Sequence, residues 1–387
     1  MIDDLTPKPP DPLLKIIKLF REDPREDKID LGVGVYRDEN GNTPVMAAVK
    51  EAERQLAAEQ PTKMYVGQQG DVEFLRLLGE LAFAEQAGDL VSIQTVGGTG
   101  ALRLGFDLLR VAGAKKVLLP TPSWPNHPAL IAAAGLQQID APFFDVQSQR
   151  IDIDRLLAGF NDIAPGDAVL LQGCCHNPLG ADFSAEQWDA LAEAIVKRHA
   201  IAYIDVAYQG FGDGIERDMD GVRTLLARVP QAVIAVSGAK TFGLYRERVG
   251  ALYVKAPAQA RPAAQSNLFA IARANYSMPP DHGASCVRLV LSDADLRTSW
   301  KVELDGIRAH IHRTREALAA ARVHSIPMHL IGAQKGMFST LPLNQTQIDT
   351  LRAEHGVYMT DSGRINVAGL PAPETDRFLQ ALKAVTA

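Results

Sequence analysis

Ser237, Lys240 and Arg248 fall within one short stretch, SGAKTFGLYRER, directly after the apolar run AVIAV from Ala232 to Val236. A run of that kind reads as a buried strand, so the three side chains leave the end of one strand together. A lysine carried by a strand into a loop can lose its water and become the neutral amine that attacks a carbonyl. A serine hydroxyl and the rigid fork of an arginine are what a phosphate group needs. An amine nucleophile beside a phosphate clamp points to a small molecule with both an aldehyde and a phosphate, and pyridoxal phosphate meets that description. A solvated surface charge is still the commoner fate of a lysine, and the chain holds 40 Lys plus Arg, so the segment needs support from elsewhere.

Support comes from other polar residues placed after apolar runs. Asp205 ends IAYID, and Tyr208 follows in VAYQGFGDG. A carboxylate near a pyridine nitrogen keeps it protonated, and a phenol can donate to a ring oxygen; a loop cap and simple packing are the rival readings. Asn177 precedes Pro178 in CCHNPLG, after AVLLQ; the pair is either a turn or an amide aimed into a crevice. GGTGA, Gly97 to Ala101, opens a helical pattern whose first N–H groups can receive an anion. Trp124 in TPSWPNH can stack on a planar ring or fill the core, and Arg364 in GRINVAGL can hold a carboxylate or stand exposed.

The elements behind these residues are short apolar runs alternating with helical patterns. The runs are IQTV from Ile93, VLLP from Val117, AVLLQ from Ala168, IAYID from Ile201, AVIAV from Ala232 and ALYV from Ala251. Helical spacing covers Met46 to Ala58 and Ala185 to Lys197, and a long amphipathic helix carries Trp300, Leu304, Ile307, Ile311 and Leu318. Such alternation predicts an α/β fold, with a mainly parallel sheet covered by helices on both faces. Ligands of such sheets sit beyond the carboxyl ends of the strands, where the polar clusters fall. Four prolines in the first dozen residues (Pro7, Pro9, Pro10, Pro12) predict an extended arm.

Bulk properties narrow the function. The 387 residues, 47% hydrophobic and 22% charged, suit an ordinary globular protein with a large core. A net charge of −6 and the lack of basic runs give no reason to expect nucleic acid. Cys174, Cys175 and Cys286 form neither a disulfide framework nor a zinc pattern. No apolar run is long enough to span a bilayer, and MIDDLTPKPPDP does not resemble a signal peptide, so a cytoplasmic location is expected. A nucleotide-dependent dehydrogenase is disfavoured because GGTGALR does not spell GxGxxG.

Taken together, LGVGVYRDENGNTPV, VGGTGALR, TPSWPNH, GCCHNPLG, DVAYQGFGDG, the lysine segment, RANYSMPPDHGAS and GRINVAGL resemble the class I pyridoxal-phosphate aminotransferases of fold type I, the aspartate and aromatic amino-acid enzymes. The likeness runs over nearly the whole chain and in order. It implies that Lys240 forms the Schiff base with the cofactor and shuttles the substrate proton, with Asp205 facing the ring nitrogen and His127 behind Asp205. Asn177 and Tyr208 then serve the ring oxygen, and Trp124 the ring face. Gly98, Thr99, Ser237 and Arg248 hold the phosphate, joined by Tyr65 from a second subunit. Arg364 takes the substrate α-carboxylate, Gly34 sits in the loop over the substrate, and Arg273 of a partner subunit takes a distal carboxylate. A homodimer with shared sites is implied, with no metal.

The resemblance implies ping-pong transamination of aromatic amino acids and/or aspartate with 2-oxoglutarate, giving the 2-oxo acid and glutamate. A strict aspartate aminotransferase is the alternative; a β-lyase or decarboxylase fits less well with two arginines placed for carboxylates. Leu179, Ala239 and Thr241 depart from the family pattern without removing a charge. Met64 and Met278 stand where aspartate-specific members carry asparagine, which favours bulky side chains. The expected division is an arm at 1–12, a small α/β domain from 13–44 and 305–387, and a large cofactor-binding domain at 45–304.

Overall fold

A computed structural model describes residues 2–7 and 12–387. At its centre is a seven-stranded sheet of β1 (Val91–Val96), β2 (Lys116–Thr121), β3 (Gln137–Pro142), β4 (Ala168–Gln172), β5 (Ile201–Val206), β6 (Ala232–Ser237) and β7 (Val249–Lys255), in the order β1-β7-β6-β5-β4-β2-β3. Every residue of β4 and β6 is buried, as continuous Val, Leu, Ile and Ala runs require when both faces are covered. Ala202, Ile204 and Val206 of β5 join the core on one face, while Tyr203 joins the core on the other.

Helices Gly97–Val111, His127–Ala133 and Arg261–Asn275 pack on the Tyr203 face. The opposite face is covered by Val72–Phe83, Ala185–Arg198, Asp220–Arg228 and His282–Ser292. The start of Ala185–Arg198 is written in the sequence SAEQ: Ser184 accepts from the Gln187 amide, and the Gln187 side chain returns the bond to Ser184.

β7 is antiparallel to both β1 and β6, whereas the other neighbouring strands run parallel. It therefore begins at the edge where the others end. Val249 pairs with Val96, so Arg248, just before β7, comes beside Gly97, just after β1. The mainly parallel sheet is as expected, but the runs alone gave neither this reversal nor β3, whose QQIDAP is only partly buried at the sheet edge.

A second core joins the two ends of the chain, with Ile29, Leu31, Leu351, Val357, Ile365 and Phe378 packed together. Ile29–Asp30 pairs in parallel with Val357–Tyr358, and Phe338–Thr340 pairs antiparallel with Arg364–Asn366. Helix Ala294–Ala320 spans both cores: Trp300, Leu304 and Ile311 sit in the first and Leu318 in the second. The extended arm is corrected in part. Ile2–Asp4 forms a short 3-10 turn and Pro12 opens a helix to Glu22, while Pro9 and Pro10 lie outside the described residues.

Candidate active site

The carboxyl edge of the sheet opens into a cleft of about 420 Å³ that brings together Gly98, Thr99, Trp124, Asn177, Asp205, Tyr208, Ser237, Lys240 and Arg248. Their positions follow from the strands. β4, β5 and β6 are parallel and in register, with Gln172 beside Asp205 and Asp205 beside Ala235, so residues that follow these ends converge.

At one end of the cleft, Asp205 is buried and its Oδ2 lies 3.1 Å from His127 Nε2. A carboxylate only accepts, so Nε2 carries a proton and leaves Nδ1, 2.8 Å from Ser123 Oγ, to accept from the hydroxyl. This orients Asp205 toward the cleft. Trp124 meets His127 edge-on with ring centres 5.2 Å apart.

The other end is cationic. A Cβ on Gly97, whose φ is 66°, would stand 2.6 Å from Arg248 Nη2, and one on Gly98 would stand 2.8 Å from Ser237 Cβ. Only glycines admit so close an approach. The helix Gly97–Val111 starts here, so its first N–H groups face the same space as the Arg248 guanidinium and the Ser237 hydroxyl. Arg248 donates to the Tyr245 carbonyl at 3.0 Å and has no carboxylate partner among the described residues.

Lys240 lies between these ends, its Nζ 4.9 Å from the centre of the Tyr208 ring. Burial pushes its pKa below that of an ordinary lysine; Asp205 opposes the shift and Arg248 adds to it. A neutral amine is the nucleophilic form. Burial likewise holds Tyr208 protonated, well above an ordinary phenol, so it is available as a donor. Asn177 Nδ2 donates to the Tyr208 oxygen at 3.1 Å.

Arg364 is buried, and it reaches the cleft through Asn177: Nη1 donates to Asn177 Oδ1 at 3.3 Å and Nη2 to the Gly32 carbonyl at 2.7 Å. Its Nε has no partner, and no carboxylate pairs with it among the described residues. The exposed reading of Arg364 is thus overturned, because the distant Gly32 carbonyl, Asn177 and the Phe338 ring enclose it. Gly34 packs on Phe338, where a Cβ would come within 2.8 Å of the ring. Tyr65 and Arg273 do not line the cleft of their own chain; both are exposed, Tyr65 by 90%. Met64 is exposed and Met278 half-buried.

The departures from the family pattern are buried rather than disruptive. Leu179 and Ala239 pack in the interior, and the Thr241 hydroxyl donates to the Gln209 carbonyl at 2.9 Å. One cleft residue had no weight in the sequence reading. Gln172 Oε1 accepts from the Asn177 amide and Nε2 donates to the Asn177 carbonyl, both at 2.8 Å. Its one signal was a polar residue ending an otherwise apolar run.

Comparison with known proteins shows the family. Residues 26–382 match the family described as aminotransferase class I and II. The chain is 46% identical to a tyrosine aminotransferase of Rhizobium meliloti (strain 1021), covering 97% of each chain. It is 41% identical to an aspartate aminotransferase of Escherichia coli (strain K12), covering 100% of each. A solved aromatic-amino-acid aminotransferase from Burkholderia pseudomallei, covalently bound to pyridoxal phosphate, superimposes with a TM-score of 0.96 at 36% identity over 100% of both chains. The chain belongs to the class I and II aminotransferase family, and it is an aminotransferase. Among the described residues no helix is long and apolar enough to cross a membrane.

Proposed function

We propose that this chain binds pyridoxal 5'-phosphate and transaminates aromatic amino acids and aspartate with 2-oxoglutarate, by a ping-pong mechanism. One observation carries the reading: the deprotonation-prone Lys240 stands between a carboxylate end and an anion-binding end of one cleft, and Arg364, with no carboxylate partner among the described residues, reaches that cleft through Asn177. The cleft fits the cofactor, since Arg248, Ser237 and a helix N-terminus meet at a site without a protein anion.

When bound, the cofactor supplies an aldehyde carbon and an electron-withdrawing pyridine ring. Asp205, oriented by His127, would keep the ring nitrogen protonated. Asn177 and Tyr208 would donate to the ring oxygen, Trp124 would cover a ring face, and Gly98, Thr99, Ser237 and Arg248 would hold the phosphate. The Lys240 amine would hold the cofactor through its aldehyde carbon and, once an amino acid had taken that place, would be free to carry the substrate α-proton to the same carbon. Arg364 fixes the α-carboxylate through its two-pronged donors, and the segment of Gly34 excludes water above it.

The unit in this reading is a homodimer in a cytoplasmic setting. Tyr65 reaches the phosphate of the other subunit, and Arg273 reaches a distal carboxylate there; their exposure in the single chain supports this. The division that goes with it is residues 1–12, 13–44 with 305–387, and 45–304. The test is a half-reaction followed by cofactor absorbance with aspartate, glutamate, tyrosine, phenylalanine and tryptophan in turn. Aspartate and at least one aromatic amino acid are expected to convert the cofactor, and no conversion with any of them overturns the reading.

A further inference from the structure

The segment from Gly32 to Tyr36 touches the site at a single strong point, the Gly32 carbonyl that receives Arg364. Asp30 Oδ1 accepts from the Gly32 and Val33 amides at 2.9 and 3.3 Å, and a second hold on the segment lies two residues beyond the arginine on its own strand. Asn366 is fully buried, and its Nδ2 donates to the Val33 carbonyl at 2.6 Å and to the Val35 carbonyl at 2.7 Å. Its backbone N–H donates to the Leu31 carbonyl at 2.8 Å. Asn366 thus holds the chain on both sides of Gly32.

The amide is an expensive choice for this place. Asn366 Oδ1 is buried with no partner among the described residues, and an unpaired buried acceptor is destabilising. An apolar side chain of the same size would avoid that cost. The amide cannot turn over to cure it, because its oxygen would then face two carbonyl oxygens. Gly369 leaves it room, since a Cβ there would stand 2.6 Å from Asn366 Nδ2. The retained cost points to a use for the two donors rather than to packing.

We propose that Asn366 is a positioning residue for the carboxylate site: it fixes Val33 and Val35 so that the Gly32 carbonyl keeps the Arg364 guanidinium against Asn177 at the cleft. The inference rests on the reading of Arg364 given above. Asn366 touches neither the cleft lining nor Lys240. Its effect falls on capture of the carboxylate and not on the proton transfer at Lys240.

The experiment compares Asn366→Leu, which keeps the volume and removes both donors, with Asn366→Ser, which keeps one short donor, and with Arg364→Lys. KM for amino acid and for 2-oxo acid is expected to rise about tenfold in Asn366→Leu and less in Asn366→Ser, the size expected for two anchoring hydrogen bonds. The kcat is expected to fall less than about threefold, with cofactor affinity unchanged. Hydrogen exchange of the unloaded protein supplies the second readout: amides from Val33 to Tyr36 are expected to exchange faster, while those of the core around Ile365 and Leu351 do not. Unchanged KM in both Asn366 variants, with KM raised in Arg364→Lys, overturns the inference alone. Unchanged KM in Arg364→Lys overturns the reading beneath it. Faster exchange throughout the small core in both Asn366 variants makes the residue merely structural and also overturns the inference.

Discussion

The side of the cleft proposed for phosphate and ring is assembled from the ends of neighbouring strands in one sheet, whereas the side proposed for the carboxylate is delivered from another core. Asp205, Ser237, Lys240 and Arg248 sit within a few residues of β5, β6 and β7. Sheet pairing fixes those strands along their length, so the side chains inherit the rigidity of the central hydrogen-bond ladder. Arg364 belongs to a three-residue strand packed in the second core, and it meets the first side through Asn177 at 3.3 Å. A rigid half suits a cofactor that stays through the cycle. A half on a separate core suits a substrate that enters and leaves each turnover.

This contrast predicts that damage to the two halves separates kinetically. Lys240→Ala is expected to abolish transamination by about 10^4-fold in kcat while cofactor still binds through the phosphate grips; wild-type turnover in that variant would end the proposed chemistry. Arg364→Lys is expected to raise KM for every substrate by roughly 10^2-fold with a smaller change in kcat, since an ammonium loses the paired donors. A fall in kcat with KM unmoved would place Arg364 on the wrong side of the comparison. Tyr245 touches both halves: its hydroxyl accepts from the Tyr36 amide at 3.2 Å and its carbonyl accepts from Arg248. Tyr245→Phe removes only the first contact and is expected to raise KM about threefold, measured against cofactor affinity as the internal control.

The smallest effect concerns stability of the cofactor-free protein. Burial lowers the Lys240 pKa in the folded state, so the unfolded chain binds that proton more tightly. Stability therefore falls as pH drops from the ordinary lysine range toward the lowered folded value, and rises as pH climbs back. Lys240→Met is expected to remove that slope and to make the cofactor-free protein more stable at neutral pH, as urea unfolding across pH would show. A steeper slope in the variant would contradict the buried-amine account.

The rigid half was the legible half. Continuous apolar runs announce buried strands, and a polar cluster after each run marks one edge, so the convergence of Lys240, Asp205 and Asn177 is legible in the sequence. The strand direction of ALYV is not, because an apolar run is the same read either way; only pairing with Val96 brings Arg248 to Gly97. QQIDAP hid because an edge strand needs few apolar residues. The local sequence left Arg364 open between a carboxylate grip and an exposed charge, because its burial depends on Gly32, far away in sequence. Asn366 carried no signal at all: an asparagine in a short strand shows its worth only through the carbonyls it meets.

The long helix that spans both cores has a mechanical consequence. Trp300 and Leu318 lie about 27 Å apart along its axis at 1.5 Å per residue. A tilt of about 4° at the Trp300 end therefore swings the Leu318 end by roughly 2 Å. That swing is enough to part Arg364 from Asn177, which meet at 3.3 Å. The alignment of the two halves is therefore sensitive to small tilts of this one rod.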